Sequence, residues 1–104
     1  MGVSIAKKDR KVIFFITGEI DHHAAAPLMR RLENGIDDAM PRDCVLDLGG
    51  VTFMDSSGIA VILRTYRLMN ALEGRLWIEN VPAQPMRVLE ASGIERLIGI
   101  TACT

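Results

Sequence analysis

The stretch Val51–Arg67, VTFMDSSGIAVILRTYR, decides the fold because it joins small polar residues to a helical pattern with no turn between them. Its centre, DSSG at residues 55–58, supplies the short side-chain oxygens that cap the first turn of a helix. The spacing then predicts an amphipathic helix with Arg64, Thr65 and Arg67 away from its apolar face. The apolar residues, at i, i+3, i+4 and i+7, are Ile59, Ile62, Leu63 and Tyr66.

Two hydroxyl groups, those of Ser56 and Ser57, lie at the start of this helix. Free amide groups and the positive end of the helix dipole favour an anion such as phosphate there. Serines at such positions are also typical of simple capping. The local pattern therefore leaves two interpretations open, a helix cap and a recognition site or phosphoacceptor.

The composition predicts one small α/β domain spanning residues 1–104. Hydrophobic residues make up 49% of the chain and aromatic residues only 5%, which suits aliphatic helices packed on a sheet. With 12 basic and 13 acidic residues, the net charge of -1 argues against a nucleic-acid partner. No apolar run approaches the roughly 20 residues of a membrane span, and the N-terminus lacks the apolar segment of a secretory signal. A cytoplasmic location without membrane contact is therefore expected.

The two cysteines have no paired-ligand spacing and are expected to be reduced thiols. Cys44 lies in the apolar run CVLDL, so it is interpreted as a small buried hydrophobic residue rather than a nucleophile.

The N-terminal part of the chain predicts a hairpin and a first helix. The apolar runs Val3–Ala6 and Val12–Ile16 flank the charged segment KKDRK, which favours two antiparallel strands. The second run is almost continuously apolar and is therefore placed inside the sheet rather than at its edge. A polar turn over residues 17–23 is expected to lead into a helix over Ala24–Met40.

The rest of the chain alternates between strand and helix patterns. Strands are predicted over Cys44–Leu48, Arg75–Glu79 and Leu97–Ile100, with a third helix between Pro82 and Gly93. Gly49 and Gly50 are expected to end the strand Cys44–Leu48 and begin a loop. The predicted architecture is an α/β fold in which an N-terminal β-hairpin precedes alternating helices and parallel strands. The sheet is mixed and has four to five strands, with the helices mainly on one face.

Loops that leave the carboxyl ends of parallel strands gather at one edge of a sheet. Asp21 and Ser56 both follow such strands and are expected to be neighbours in space.

Catalytic and metal-binding interpretations find little support. A nucleophilic Ser56 would need His22 or His23 as base, but DSSG is not the G-x-S-x-G elbow and a contiguous Asp-His-His cannot easily supply base and orienting acid together. The adjacent histidines also lack the i, i+4 spacing of helix-borne metal ligands. Gly49 and Gly50 are not followed by G-K-[ST], so no nucleotide-cradling loop is present. We expect no catalytic residue, no metal and no cofactor.

The segments Phe53–Arg67 (FMDSSGIAVILRTYR) and Gly18–His23 (GEIDHH) resemble a known family. The first resembles the signature of STAS domains. Together they resemble the anti-sigma factor antagonists of the sporulation type, which act on the anti-sigma-F factor. The match in strand and helix order extends from Val3 to about Ile100.

This resemblance implies a protein switch rather than an enzyme. In the family, the unphosphorylated antagonist binds an anti-sigma factor that is also a serine kinase, releases the sigma factor and so permits transcription. The kinase then phosphorylates the antagonist, and a PP2C-type phosphatase resets it. The alternative is a STAS module of another sigma-regulatory or stress-response pathway with a different partner.

The resemblance also implies roles for individual residues. Ser56 would be the phosphoacceptor and Ser57 the neighbouring cap. Asp21 would contact a basic residue of the kinase, and Gly58 would leave room for the partner's backbone. The implied partner-binding set is Asp21, Asp55, Ser56, Ser57, Gly58 and Ile59. Family members usually continue into a C-terminal amphipathic helix, which is expected to be absent or shortened here.

Overall fold

A computed structural model describes residues 1–103, which form five strands and three helices in alternating order after an initial hairpin. The strands are β1 (Gly2–Lys8), β2 (Lys11–Ile20), β3 (Asp43–Met54), β4 (Arg75–Val81) and β5 (Gly99–Ala102). The helices are α1 (His22–Ala39), α2 (Ser56–Ala71) and α3 (Ala83–Ser92), and a 3-10 turn at Ile94–Arg96 precedes β5. β1 pairs antiparallel with β2, and the other neighbouring pairs are parallel. The predicted mixed α/β sheet is confirmed.

The spatial order of the strands, β1-β2-β3-β4-β5, is also their order along the chain. Crossovers between parallel strands are right-handed in nearly all proteins, so three successive crossovers in one direction place their helices on the same face. One core cluster accordingly joins buried residues of all three helices to alternate strand residues, including Phe14, Leu46 and Ile78. The opposite face of the sheet, the open face, carries no helix of the described chain.

The first helix begins earlier than its sequence pattern predicts. β2 continues through Ile20, and α1 starts at His22 instead of Ala24. The predicted polar turn over residues 17–23 is therefore wrong: most of it is strand and the histidines are helical. The physical reason is Asp21, whose side chain caps the helix and lets strand and helix meet at a single residue.

The Gly49–Gly50 pair does not end its strand either, because β3 continues to Met54. The pairing of β3 with β2 shifts between Phe15 and Thr17, and the two glycines accommodate this irregularity. A Cβ atom on Gly50 would lie 2.6 Å from Thr17 Cγ2, so the close approach of the two strands requires glycine. Gly49 and Gly50 therefore form a β-bulge within β3, where the sequence predicts a loop.

Two further expectations need correction. Thr65 was expected away from the apolar face of α2, but it is fully buried and its hydroxyl donates a hydrogen bond to Val61 O at 2.8 Å. That internal bond satisfies the hydroxyl and lets a polar residue lie on the core side. The final strand is Gly99–Ala102 rather than Leu97–Ile100, because the 3-10 turn shifts the chain and leaves Leu97 55% exposed.

Candidate functional site

The carboxyl ends of β2 and β3 lie side by side at one edge of the sheet. Ile20 pairs with Met54 in the strand register, and the amide of Asp55 donates a hydrogen bond to Ile20 O at 3.2 Å. Each strand is followed by one aspartate and then directly by a helix. Asp21 and Asp55 thus follow paired strand ends at the same edge of the sheet, and Ser56 comes directly after Asp55.

The two aspartates have nearly identical conformations. Asp21 has φ -107° and ψ -172°, and Asp55 has φ -111° and ψ -171°. Asp21 Oδ1 accepts from Ala24 N at 2.9 Å, and Asp55 Oδ1 accepts from Ser57 N at 2.8 Å. The cap of α2 is therefore Asp55, and the capping role expected of Ser57 is wrong, because Ser57 supplies the amide that is capped.

The two serines of the DSSG motif have different surroundings. Ser56 is exposed and lines a groove between α2 and α3 that also includes Ile59, Gln84 and Arg87. Ser57 is half-buried and lines a groove between α1 and α2. The exposed hydroxyl at the tip of the edge is thus that of Ser56.

A glutamine that the sequence analysis missed fixes the backbone in front of Ser56. Gln84, in the first turn of α3, donates from Nε2 to Met54 O at 2.8 Å and accepts at Oε1 from Met54 N at 2.8 Å. β4 pairs with β3 only as far as Asp47, so Met54 has no strand neighbour on that side. The amide of Gln84 replaces the missing strand partner. No local pattern marks a pair of bonds made 30 residues away.

Gly58 is a packing residue rather than a surface residue. It is buried, and a Cβ atom there would lie 2.6 Å from both Cγ and Sδ of Met54 and 3.3 Å from Ile20 Cγ2. The missing side chain lets α2 lie close to the ends of β2 and β3. This packing role adds to the expectation that Gly58 leaves room for a partner, which stays a prediction. Ile59 is half-buried at the groove that Ser56 lines.

The histidines diverge from each other and from Ser56. His22 lines the groove between α1 and α2, whereas His23 lies with Asp21 and Glu19 on the other side of α1. Their ring centroids are 5.8 Å apart in an edge-on arrangement. Among residues 1–103, no three His, Cys, Asp or Glu side chains come together in a group that could hold a metal ion.

The cysteines also lie apart from this edge. Cys44 is fully buried under the helices, and burial raises the pKa of its thiol to about 12. A thiol that stays protonated at neutral pH is a poor nucleophile, in agreement with the interpretation of Cys44 as a core residue. Cys103 is exposed and unpaired with Cys44.

The charge of the edge is negative at its tip and positive beside it. Asp21 and Asp55 are half-buried and Glu19 is exposed, so carboxylates surround the start of both helices. Arg64 lines the groove beside Ser57, where it pairs with Glu33 at 2.9 Å, and Arg87 lines the groove beside Ser56. The arrangement suits a partner surface with basic groups facing the aspartates.

Fold and edge together define a known class. The STAS domain family matches residues 3–103, and the chain belongs to this family. The anti-sigma F factor antagonist of Paenibacillus polymyxa is 33% identical over 89 residues, which cover 86% of this chain and 76% of that protein. The anti-sigma-B factor antagonist of Bacillus subtilis (strain 168) is 29% identical over 106 residues, covering 98% of this chain and 92% of that protein.

Solved structures confirm the fold. The anti-sigma factor antagonist SpoIIAA in its unphosphorylated form superposes with a TM-score of 0.81 at 24% identity, covering 95% of this chain and 87% of that one. The Bacillus cell fate determinant SpoIIAA in the phosphorylated form gives a TM-score of 0.70 at 27% identity, covering 95% of this chain and 90% of that one.

Within residues 1–103, no helix combines the length and the apolar character needed to cross a bilayer.

Proposed function

We propose that the chain is an anti-sigma factor antagonist whose unphosphorylated form binds an anti-sigma factor with serine kinase activity. Binding releases the sigma factor and activates transcription of the sporulation type, and phosphorylation of Ser56 switches the binding off. A PP2C-type phosphatase would then restore the binding form. The observation that carries this proposal is the exposed Ser56 at the tip of the sheet edge, in a chain related to proteins named anti-sigma F factor antagonists.

The surroundings of Ser56 suit a phosphoacceptor. A kinase must reach the hydroxyl, and Ser56 is the exposed member of the serine pair. The cap at Asp55 and the Gln84 amide hold the backbone on both sides of Met54 and Ser56, so the serine is presented without local unfolding. Ser56 is also the first residue of α2, where the helix dipole stabilises added negative charge.

Phosphorylation would act on the partner through charge and bulk. A phosphate adds about -1.5 to -2 charges, next to the carboxylates of Asp21 and Asp55. The domain tolerates this charge at a helix start. A kinase site that already holds nucleotide phosphates and acidic groups would be repelled by it. The same edge would thus bind the kinase before phosphoryl transfer and release it afterwards.

Asp21 is proposed as a contact for a basic residue of the kinase. Its Oδ1 is occupied by the helix cap, and the half-buried carboxylate leaves Oδ2 for a partner. Asp55 offers the same arrangement, and Ile59 adds apolar contact area beside Ser56. Contacts of this kind set association rate and salt dependence more than total affinity.

A second candidate is a STAS module of another sigma-regulatory or stress-response pathway. The observation in its favour is the relative named anti-sigma-B factor antagonist, whose alignment covers nearly all of this chain. Such a module would use the same edge with a different partner. In either case the chain acts as a cytoplasmic regulator and not as an enzyme.

Both candidates are tested by incubating the protein with candidate anti-sigma kinases and ATP, then locating phosphate by mass spectrometry. We expect one phosphate on Ser56 from an anti-sigma-F type kinase, none in Ser56→Ala, and normal phosphorylation of Ser57→Ala as the matched control. Ser56→Asp should weaken kinase binding. Phosphate on Ser57 instead, or equal binding of Ser56→Ala and Ser56→Asp in both nucleotide states, would contradict the proposal.

The Asp21 contact is tested separately with Asp21→Asn. Asparagine keeps an acceptor for the helix cap and removes only the charge, so the fold is retained. The expected result is slower association with the kinase at low salt and a weaker dependence on salt. An unchanged association rate at low salt would remove Asp21 from the interface.

A further inference from the structure

The open face of the sheet is the largest feature that the proposed function leaves without a role. β2 to β5 run parallel, and parallel sheets are almost always covered on both faces. Here all three helices cover one face. Val45 shows where the other face lies, because it is only 1% exposed yet does not belong to the core cluster under the helices.

The centre of the open face is apolar. The strand register places Ala6, Ile13, Val45, Trp77 and Gly99 in one row across all five strands. Trp77 in this row is half-buried and lies against Gly99, and its ring stacks under the Arg75 guanidinium at 5.0 Å. On the same face, Phe15 is 39% exposed and Phe53 is 41% exposed. Clustered apolar groups of this kind mark an interaction surface.

The charges on this face are separated along the strand direction. The row at the amino ends of the parallel strands contains Lys8, Lys11, Asp43 and Arg75, with a net charge of about +2 by simple count. The row beyond the apolar centre contains Asp47 and Glu79, and Glu19 lies further along β2. The face is therefore basic at one end, apolar in the middle and acidic at the other.

This pattern is complementary to itself in one orientation. Two copies that pack face to face are related by a two-fold axis lying between the sheets. An axis parallel to the strands would place basic row on basic row. An axis across the strands, above the row of Val45 and Trp77, places the row of net charge about +2 over the acidic row of the other copy and brings Arg75 over Glu79. Asp43 then faces Asp47, but each of these carboxylates already has a partner within its own chain: Asp43 pairs with Arg75 at 3.4 Å, and Asp47 accepts from Asn80 at 2.7 Å.

We propose that the open face binds a second copy of this chain, forming an antiparallel, two-fold symmetric sheet-on-sheet dimer. Two sheets packed in this way lie about 10 Å apart, with their strands within about 30° of each other. β4 then lies over β4 of the partner, so Arg75 of each copy meets Glu79 of the other. Trp77 and Phe15 fill the apolar centre. The surface does not include Ser56, so dimerisation and partner binding at the sheet edge are compatible.

The proposal is tested by light scattering after size-exclusion chromatography over about 1 μM to 1 mM of the full chain. We expect a mass of twice 11.5 kDa at the upper concentrations. Arg75→Glu and Glu79→Arg each bring like charges together at two symmetric contacts, so each should raise the dissociation constant about tenfold or more. The double variant restores opposite charges and should recover the dimer. Arg67→Glu, an exposed position on α2, makes the same charge change elsewhere and should have no effect.

If the double variant recovers the dimer, the two exchanged charges must meet between copies and not within one chain. Arg75 and Glu79 are four residues apart on one strand, or about 13 Å at 3.3 Å per residue, and charges at that separation are screened within one chain. A single-chain mass at every concentration would overturn the proposal. A dimer that survives both single reversals would also overturn it, since that result points to pairing through the edge strands β1 or β5.

Discussion

At the scale of single residues, the four residues of the DSSG motif have different roles. Asp55 caps the helix, Ser56 exposes its hydroxyl, and Ser57 turns towards α1. Gly58 lets the helix approach the sheet. Because Gly58 is buried, a substitution there perturbs the packing under this edge and leaves the exposed side chains of the motif unchanged.

Gly58→Ala should lower the free energy of unfolding by up to about 2 kcal/mol. The added methyl group overlaps Met54 Cγ and Sδ at 2.6 Å, and overpacking of this kind costs about 1–3 kcal/mol. The better helix propensity of alanine, about 1 kcal/mol, offsets part of that cost. Chemical denaturation measures the change.

A double-mutant cycle with Met54→Ala provides the control for this prediction. Met54→Ala removes both atoms that the methyl group overlaps and leaves only the 3.3 Å approach to Ile20 Cγ2, so Gly58→Ala should become close to neutral or stabilising in that background. An equal cost in both backgrounds would show that the Met54 contact is not the cause.

At the scale of elements, α1 and α2 start in the same way: a strand, one capping aspartate and a helix. The DSSG motif predicted the second of these starts, because a capping residue and a helical period occur together there. The first start was missed because the histidines suggested a turn, although Asp21 alone completes the connection. Likewise, Gly49 and Gly50 suggested a loop, but their pairing with β2 makes them a bulge.

The role of the Gln84 side chain, which makes two hydrogen bonds to the backbone of Met54, could not have been predicted from the sequence. Its partner is the backbone of Met54, and any residue at position 54 would present the same N–H and C=O groups. The need for it arises only because β4 ends before β3 does, which is a property of the assembled sheet. Long-range pairing of a side chain with backbone leaves no local periodicity or motif.

Gln84→Ala should lower the free energy of unfolding by about 1–2 kcal/mol, since two part-buried backbone groups lose their partners. Amide hydrogen exchange at Met54 should become faster. Gln84→Glu keeps an acceptor for Met54 N but loses the donor to Met54 O, and should protect that amide to an intermediate degree. Unchanged exchange at Met54 in Gln84→Ala would show that other contacts hold this end of β3.

At the scale of the whole molecule, the helices bury one side of the sheet. The order of strands and helices along the chain was predictable because apolar residues recur with a different period in each kind of element. The absence of cover on the other side follows from crossover handedness and strand order together, which no single segment encodes. Cys44 lies within the covered core, and its ionisation therefore reports on the folding of the whole chain.

Stability should decline with pH above about 9. In the unfolded chain the Cys44 thiol ionises near its ordinary value of 9.0, whereas burial raises its pKa in the folded chain to about 12. Between these values the folded state holds a proton that the unfolded state has lost, so the free energy of unfolding falls by up to about 1.4 kcal/mol per pH unit. Below the lower value both states are protonated and this contribution does not vary.

Urea denaturation from pH 8 to pH 11 measures this slope. The comparison is with Cys44→Ala, which lacks the thiol and retains every other ionisable group. The variant should be less stable at pH 8 but should lose less stability on going to pH 11. Parallel curves for the two proteins would mean that the thiol is solvated in the folded state.

The sequential strand order has a consequence for how the chain folds during synthesis. Every new strand adds to the outer edge formed by the one before it, and none has to be inserted between two strands that are already paired. Contacts close in sequence favour rapid folding. The sheet can therefore be extended one strand-and-helix unit at a time as the chain leaves the ribosome, and the edge bearing Ser56 is assembled before β5 has emerged.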